Sequence, residues 1–147
     1  MRHDGMASGR LTSSPAMGTI LSLVCLALAG QPLAAQAPGL DVPVHAGGDA
    51  DLDACAASGA VTGLDPKGDN FLSVRSGPGG APYHEVDRVR TGQRLAICEE
   101  KGAWLGVVYA DDGKDCRVAT PRPKRSVYTG PCRSGWVHGR YVGDRAG

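Results

Sequence analysis

Phe71-Leu-Ser-Val-Arg-Ser76 decides the fold class. Leu72 and Val74 fall on one side of an extended chain, Ser73 and Arg75 on the other, the alternation of a half-buried strand. Turn formers bound it on both sides: Leu64-Asp-Pro-Lys-Gly-Asp-Asn70 before it and Gly77-Pro-Gly-Gly-Ala-Pro82 after it. The same grammar repeats along the chain. Gly59-Ala-Val-Thr-Gly63 can start a sheet. Val86 and Val89 flank a short extended piece. Thr91-Gly-Gln93 turns into the alternating Arg94-Leu-Ala-Ile-Cys98. Glu99 and Glu100 read as part of a hairpin turn closed by Lys101-Gly102, and Trp104-Leu-Gly-Val-Val-Tyr109 returns from it. Gly135-Trp-Val-His138 and Tyr141-Val142 close the series, with one helical turn at most near Gly139–Tyr141. This predicts an all-β domain of five or six short strands, spaced as in a small barrel.

Composition agrees. Gly (22) and Pro (10) make about a fifth of the 147 residues, which a helical bundle would not tolerate. Lys and Arg (16) balance Asp and Glu (15), against the strong basic excess of a nucleic-acid binder. The length leaves no room for a large α/β enzyme. The balance hides an asymmetry. Asp41 to Asp69 holds six acids and one Lys, whereas Lys114 to Arg145 holds eight basic residues and two acids.

The front of the chain reads as an address. Arg2 and Arg10 precede an apolar run of about 14 residues, Met17 to Gly30, followed by small residues through Ala37, the order of a secretory signal peptide. The run is too short to span a bilayer comfortably, and cleavage is expected after Ala35. Residues 36–54 have few large apolar groups and read as a flexible, acidic Ala/Gly/Pro linker. Residues 55–143 are then the folding unit and 144–147 a short tail. Of five cysteines, Cys25 falls in the signal. The other four in an exported chain read as two disulfides. Cys116 and Cys132 bracket one compact Pro/Gly-rich segment, which pairs them and leaves Cys55 with Cys98. No metal-ligand spacing is present, so no metal or other cofactor is expected.

Leu72-Ser-Val-Arg-Ser-Gly-Pro78, Thr91-Gly92, Gly102-Ala-Trp104 with Val107, and Ser134-Gly-Trp-Val-His138 with Tyr141-Val142 occur in an order that resembles the bacterial SH3-like (SH3b) domain family, over about residues 60 to 143. The resemblance implies a five-stranded, strongly bent β-barrel with long loops. It also implies a binding module similar to those that attach exported proteins to peptidoglycan. One departure is the segment Ala110–Arg133, where the family has a tight hairpin. It carries two cysteines and Lys114, Arg117, Arg122, Lys124, Arg125 and Arg133.

His84 and His138 stand in no nucleophile elbow or Cys-His pattern, and bridged cysteines supply no thiol, so a non-catalytic protein is expected. A small hydrolase built on either histidine is the weakest reading. Aromatic rings on loop-lined rims are better candidates for contact. Tyr83 lies in a polar loop. Trp104 opens a strand beside a turn, at the border of rim and core. Tyr141 follows a bend, and Tyr109 and Tyr128 are further candidates. Trp136 reads as core, and Arg75 as an outward contact. The proposed binding residues are therefore Arg75, Tyr83, Trp104 and Tyr141, with Arg122, Lys124 and Arg125 of the basic loop. The expected partner is peptidoglycan, another anionic envelope polymer or an envelope protein, in the periplasm or outside the cell. No nucleic acid and no stable membrane span are expected. The alternative is an interaction or inhibitor module acting through the Cys116–Cys132 loop, pre-organised by its disulfide.

Overall fold

The computed structural model describes residues 40–147. The expected signal peptide (1–35), its cleavage site and the first part of the expected linker lie outside the described residues. The chain is all-β. In order, it forms β1 (His45–Ala46), β2 (Asp49–Asp53), β3 (Ala57–Val61), β4 (Leu72–Arg75), β5 (Glu85–Val89), β6 (Arg94–Lys101), β7 (Trp104–Tyr109), β8 (Pro121–Arg122), β9 (Ser126–Val127), β10 (Arg133–His138), a 3-10 turn at Gly139–Tyr141, and β11 (Val142–Ala146). Seven strands make one antiparallel sheet in the order β11-β3-β6-β7-β10-β4-β5. Two small ribbons, β1-β9 and β2-β8, lie apart from it, so the strand count exceeds the five or six expected. Among the described residues no helix is long and apolar enough to cross a membrane.

Alternation along the strands gives the sheet two apolar faces. Val61, Leu72, Val74, Leu95, Ile97, Leu105, Val107, Tyr109, Val137 and Val142 form one core. The opposite face carries Val108 and Trp136, packed with Val44, Ala46, Ala54, Cys55, Val118 and Tyr128. Trp136 is a core residue as expected, but it belongs to this second core. Its indole Nε1 donates to the Val42 carbonyl at 2.8 Å.

Two covering segments complete the second core, and the first of them corrects the linker expectation. Residues 40–54 are not a free linker: Val44, Ala46 and Ala54 are buried. The amides of Ala54 and Cys55 donate to the carbonyls of Thr120 and Val118, and Tyr128 N donates to Val44 O. Small side chains suffice because Trp136 supplies the bulk and the backbone bonds supply the cohesion. The folding unit therefore takes in residues 40–54 as well. The second covering segment is the basic loop 110–133. Both disulfides form as expected, Cys55–Cys98 tying the first cover to β6 and Cys116–Cys132 closing the second.

Glu99 brings a second correction. It lies within β6, not in a turn; the turn sits at Gly102, with φ 60°. Continued alternation from Leu95 and Ile97 would drive its carboxylate into the first core. The register instead shifts between Ile97 and Glu99, placing Glu99 opposite Gly106. A β-bulge does this by inserting one residue, which moves the next side chain to the other face. Gly106 makes room, since a Cβ there would stand 2.6 Å from Glu99 Cγ. The buried carboxylate accepts from the His45 amide at 2.8 Å and from Arg125 Nη2 at 2.5 Å, holding both covers at one point. Glu99→Ala should cost about 2 kcal/mol, because it leaves a partly buried amide and a cation without their acceptor. Urea unfolding measures this, and a loss below a few tenths would show that the latch is idle.

A candidate ligand groove

The β7–β10 register sets His138 directly opposite Trp104. Their rings meet edge to face with centroids 5.3 Å apart, and His138 meets Tyr141 in the same way at 6.2 Å. The 3-10 turn that carries Tyr141 is capped by His138, whose Nδ1 accepts from the Arg140 amide at 3.3 Å. The three rings line a groove of about 570 Å³, together with Asp65, Asp69 and Phe71 of the turn-rich loop after β3. Arg75, Ser73 and Arg140 also line it. Arg140 lies over the Tyr141 ring at 4.9 Å and Arg88 over Phe71 at 4.1 Å.

Three of the sequence-expected contacts, Arg75, Trp104 and Tyr141, thus meet at one groove. Tyr83 does not line it. It is half-buried against Gly77 and Gly79, and its carbonyl accepts from Arg75 Nη2 at 2.5 Å. Arg122, Lys124 and Arg125 are not brought to this groove. Arg122 pairs across its ribbon with the acidic strand at Asp49, and Arg125 is engaged by Glu99. The basic loop folds back on the acidic front segment, as opposite charges favour. Tyr128 is buried in the second core and Tyr109 in the first, so neither is a surface platform. The Tyr109 hydroxyl donates to Asp87 at 2.7 Å; burial, then that neighbouring acid, raise its pKa above the ordinary phenol value.

His138, Phe71, Arg140, Asp65 and Asp69 were not among the expected contacts. Only the strand register and the approach of a distant loop bring them together.

The groove can stack rings and pair charges of both signs. Its hydroxyl, Ser73, donates to Glu85, which holds the Glu85 carboxyl below the usual range together with Arg88. His84 lies elsewhere, 3.9 Å from Asp41 with both side chains exposed. All four cysteines of the described residues are in disulfides, and no group of three or more His, Cys, Asp or Glu among those residues could hold a metal ion. No protein-family model, curated protein or solved structure matches this chain.

Proposed function

We propose that this is an exported, non-catalytic binding module, an SH3-like bent barrel that holds a peptidoglycan-like polymer of the cell envelope in the Trp104–His138–Tyr141 groove. The three-ring lining is the observation that carries the reading. Rings held by packing offer broad contact area at little entropic cost, and the flanking Arg75, Arg140, Asp65 and Asp69 suit a polymer bearing both carboxylates and amines.

Burial supports the bent barrel. Val61, Val74 and Val107 are fully buried on the face that neither cover reaches. A flat sheet would leave that face wet, and its outermost strands β11 and β5 would lie about 29 Å apart. Curling lets the strands cover one another. Two disulfides suit an oxidising compartment outside the cytoplasm.

The inhibitor reading of the Cys116–Cys132 loop has less support because, of the loop's large apolar side chains, Val118 and Tyr128 face inward and Val127 alone is exposed.

The test is retention of the purified protein on isolated peptidoglycan. We expect retention at low salt and about a tenfold weaker hold for Trp104→Ala, a central aromatic anchor. No retention of the unaltered protein at low salt would overturn the reading.

A further inference from the structure

We propose that Arg75 is a carboxylate-docking position where two cavities join into one track, so that the ligand is an extended, carboxylate-bearing chain lying along β4. This rests on the wall-binding reading above and goes further, by naming the chemical group recognised and the shape of the chain that carries it.

The second cavity, of about 250 Å³, shares Arg75 with the groove as a lining residue. Its walls include Val42 and Val44 from the front cover, Ser76, His84, Val86 and Ser134. Leu72, Ser73 and Arg75 line the groove, and Arg75 and Ser76 line the second cavity, so the two follow successive positions of one strand. A chain reaching from one to the other must run extended beside β4, advancing about 3.3 Å per residue. The front cover, a linker by composition alone, builds one wall of this track.

Among the described residues Arg75 forms no salt bridge, the nearby Glu85 being paired with Arg88. A guanidinium has five N–H donors. Among the described residues its one acceptor is the Tyr83 carbonyl, and its Nε is buried with no partner. The acid placed to neutralise it is Glu85, directly opposite in the β4–β5 register. Glu85 lies within reach of the Arg75 charge but spends its hydrogen bonds on Ser73 and, at 2.5 Å, on Arg88. A half-buried guanidinium in no salt bridge and lining two cavities matches a planar carboxylate better than a neutral group. The guanidinium fork gives such an acceptor paired, charge-assisted bonds.

The experiment compares retention on two peptidoglycan preparations, both stripped of phosphate-bearing polymers, one with its carboxylates converted to amides. We expect the unaltered protein to bind the amidated wall about tenfold more weakly. Arg75→Gln should show the same loss on untreated wall and no further loss on amidated wall, because protein and ligand would be losing one shared contact. If Arg75→Gln fails to fold, the comparison passes to Arg75→Lys, which keeps the charge and a donor for the Tyr83 carbonyl but loses the fork. Equal binding of the unaltered protein to both walls, with Trp104→Ala still impaired, would overturn carboxylate docking and leave wall binding standing. Losses that multiply would also overturn it, since the two groups would then act separately. No retention on either wall would remove both readings.

Discussion

Trp136→Ala is expected to cost about 3–5 kcal/mol, more than any other single substitution proposed for this chain. The side chain has no exposure and is the bulk around which the second core is assembled. Truncation leaves a cavity bounded by Val44, Ala46, Val108 and Tyr128, which β7 and the disulfide-tied covers cannot readily collapse to fill. It also removes the indole donor from the Val42 carbonyl and the ring that lies 5.0 Å from Lys101 Nζ. Trp136→Phe separates these contributions, keeping much of the volume and losing the hydrogen bond, at about 1–2 kcal/mol beyond the smaller loss of area. Urea unfolding gives the totals. Amide exchange locates the loss, which should fall first on the bonds Tyr128 N to Val44 O and Cys55 N to Val118 O. A loss under about 1 kcal/mol for the alanine variant would mean that the covers rest on the sheet without stabilising it.

The same residue shows how far the sequence can be read. Trp136 between Gly135 and Val137 is legible as core, as are the alternating pairs Leu72/Val74 and Leu95/Ile97, because each depends on spacing within a few residues. The disulfide pairing is legible from the segment that Cys116 and Cys132 bracket. Which face Trp136 occupies is not legible, because its partners Val44 and Tyr128 lie far off in sequence on segments without strand periodicity. A composition argument treats residues 40–54 as poor in apolar area. It does not register Ala46 fitting against a tryptophan, or backbone amides finding carbonyls at 118–122. Glu99 reads wrongly as a turn residue because a bulge is invisible to alternation: one inserted residue reverses the face of everything after it. The groove is half legible. Trp104 and Tyr141 stand out as rim aromatics, but His138 joins them only through the register that sets it opposite Trp104. The basic loop reads as a contact surface because nothing local shows that its Arg125 has a buried acid waiting in β6.

The two disulfides should differ in what they contribute, and the difference tests the two-cover architecture. Cys55→Ser with Cys98→Ser frees a loop of 43 residues of separation, and Cys116→Ser with Cys132→Ser one of 16. Chain entropy alone sets these at about 4 and about 3 kcal/mol. The neck of the shorter loop is held a second time by the Tyr128 hydroxyl, which donates to the Cys116 carbonyl at 2.9 Å and accepts from the Cys132 amide at 3.1 Å. Losing Cys116–Cys132 therefore leaves a loop that is still closed in the folded protein, so entropy is gained by the unfolded chain alone and the cost should stay near the entropic figure, about 3 kcal/mol. Cys55–Cys98 has no such substitute at its own atoms. It ties the end of the front cover to β6 one residue before Glu99, so its loss should also loosen that latch and redden the fluorescence of Trp136 in the folded protein. Adding Tyr128→Phe to the Cys116/Cys132 variant should then let the loop open in the folded protein, so amide exchange at the neck should quicken far more than when Tyr128→Phe is made with the disulfide intact, because the phenol and the disulfide close the same neck. A Tyr128→Phe effect on that exchange that is the same with and without Cys116–Cys132 would show that the hydroxyl bridge does not back up the covalent one.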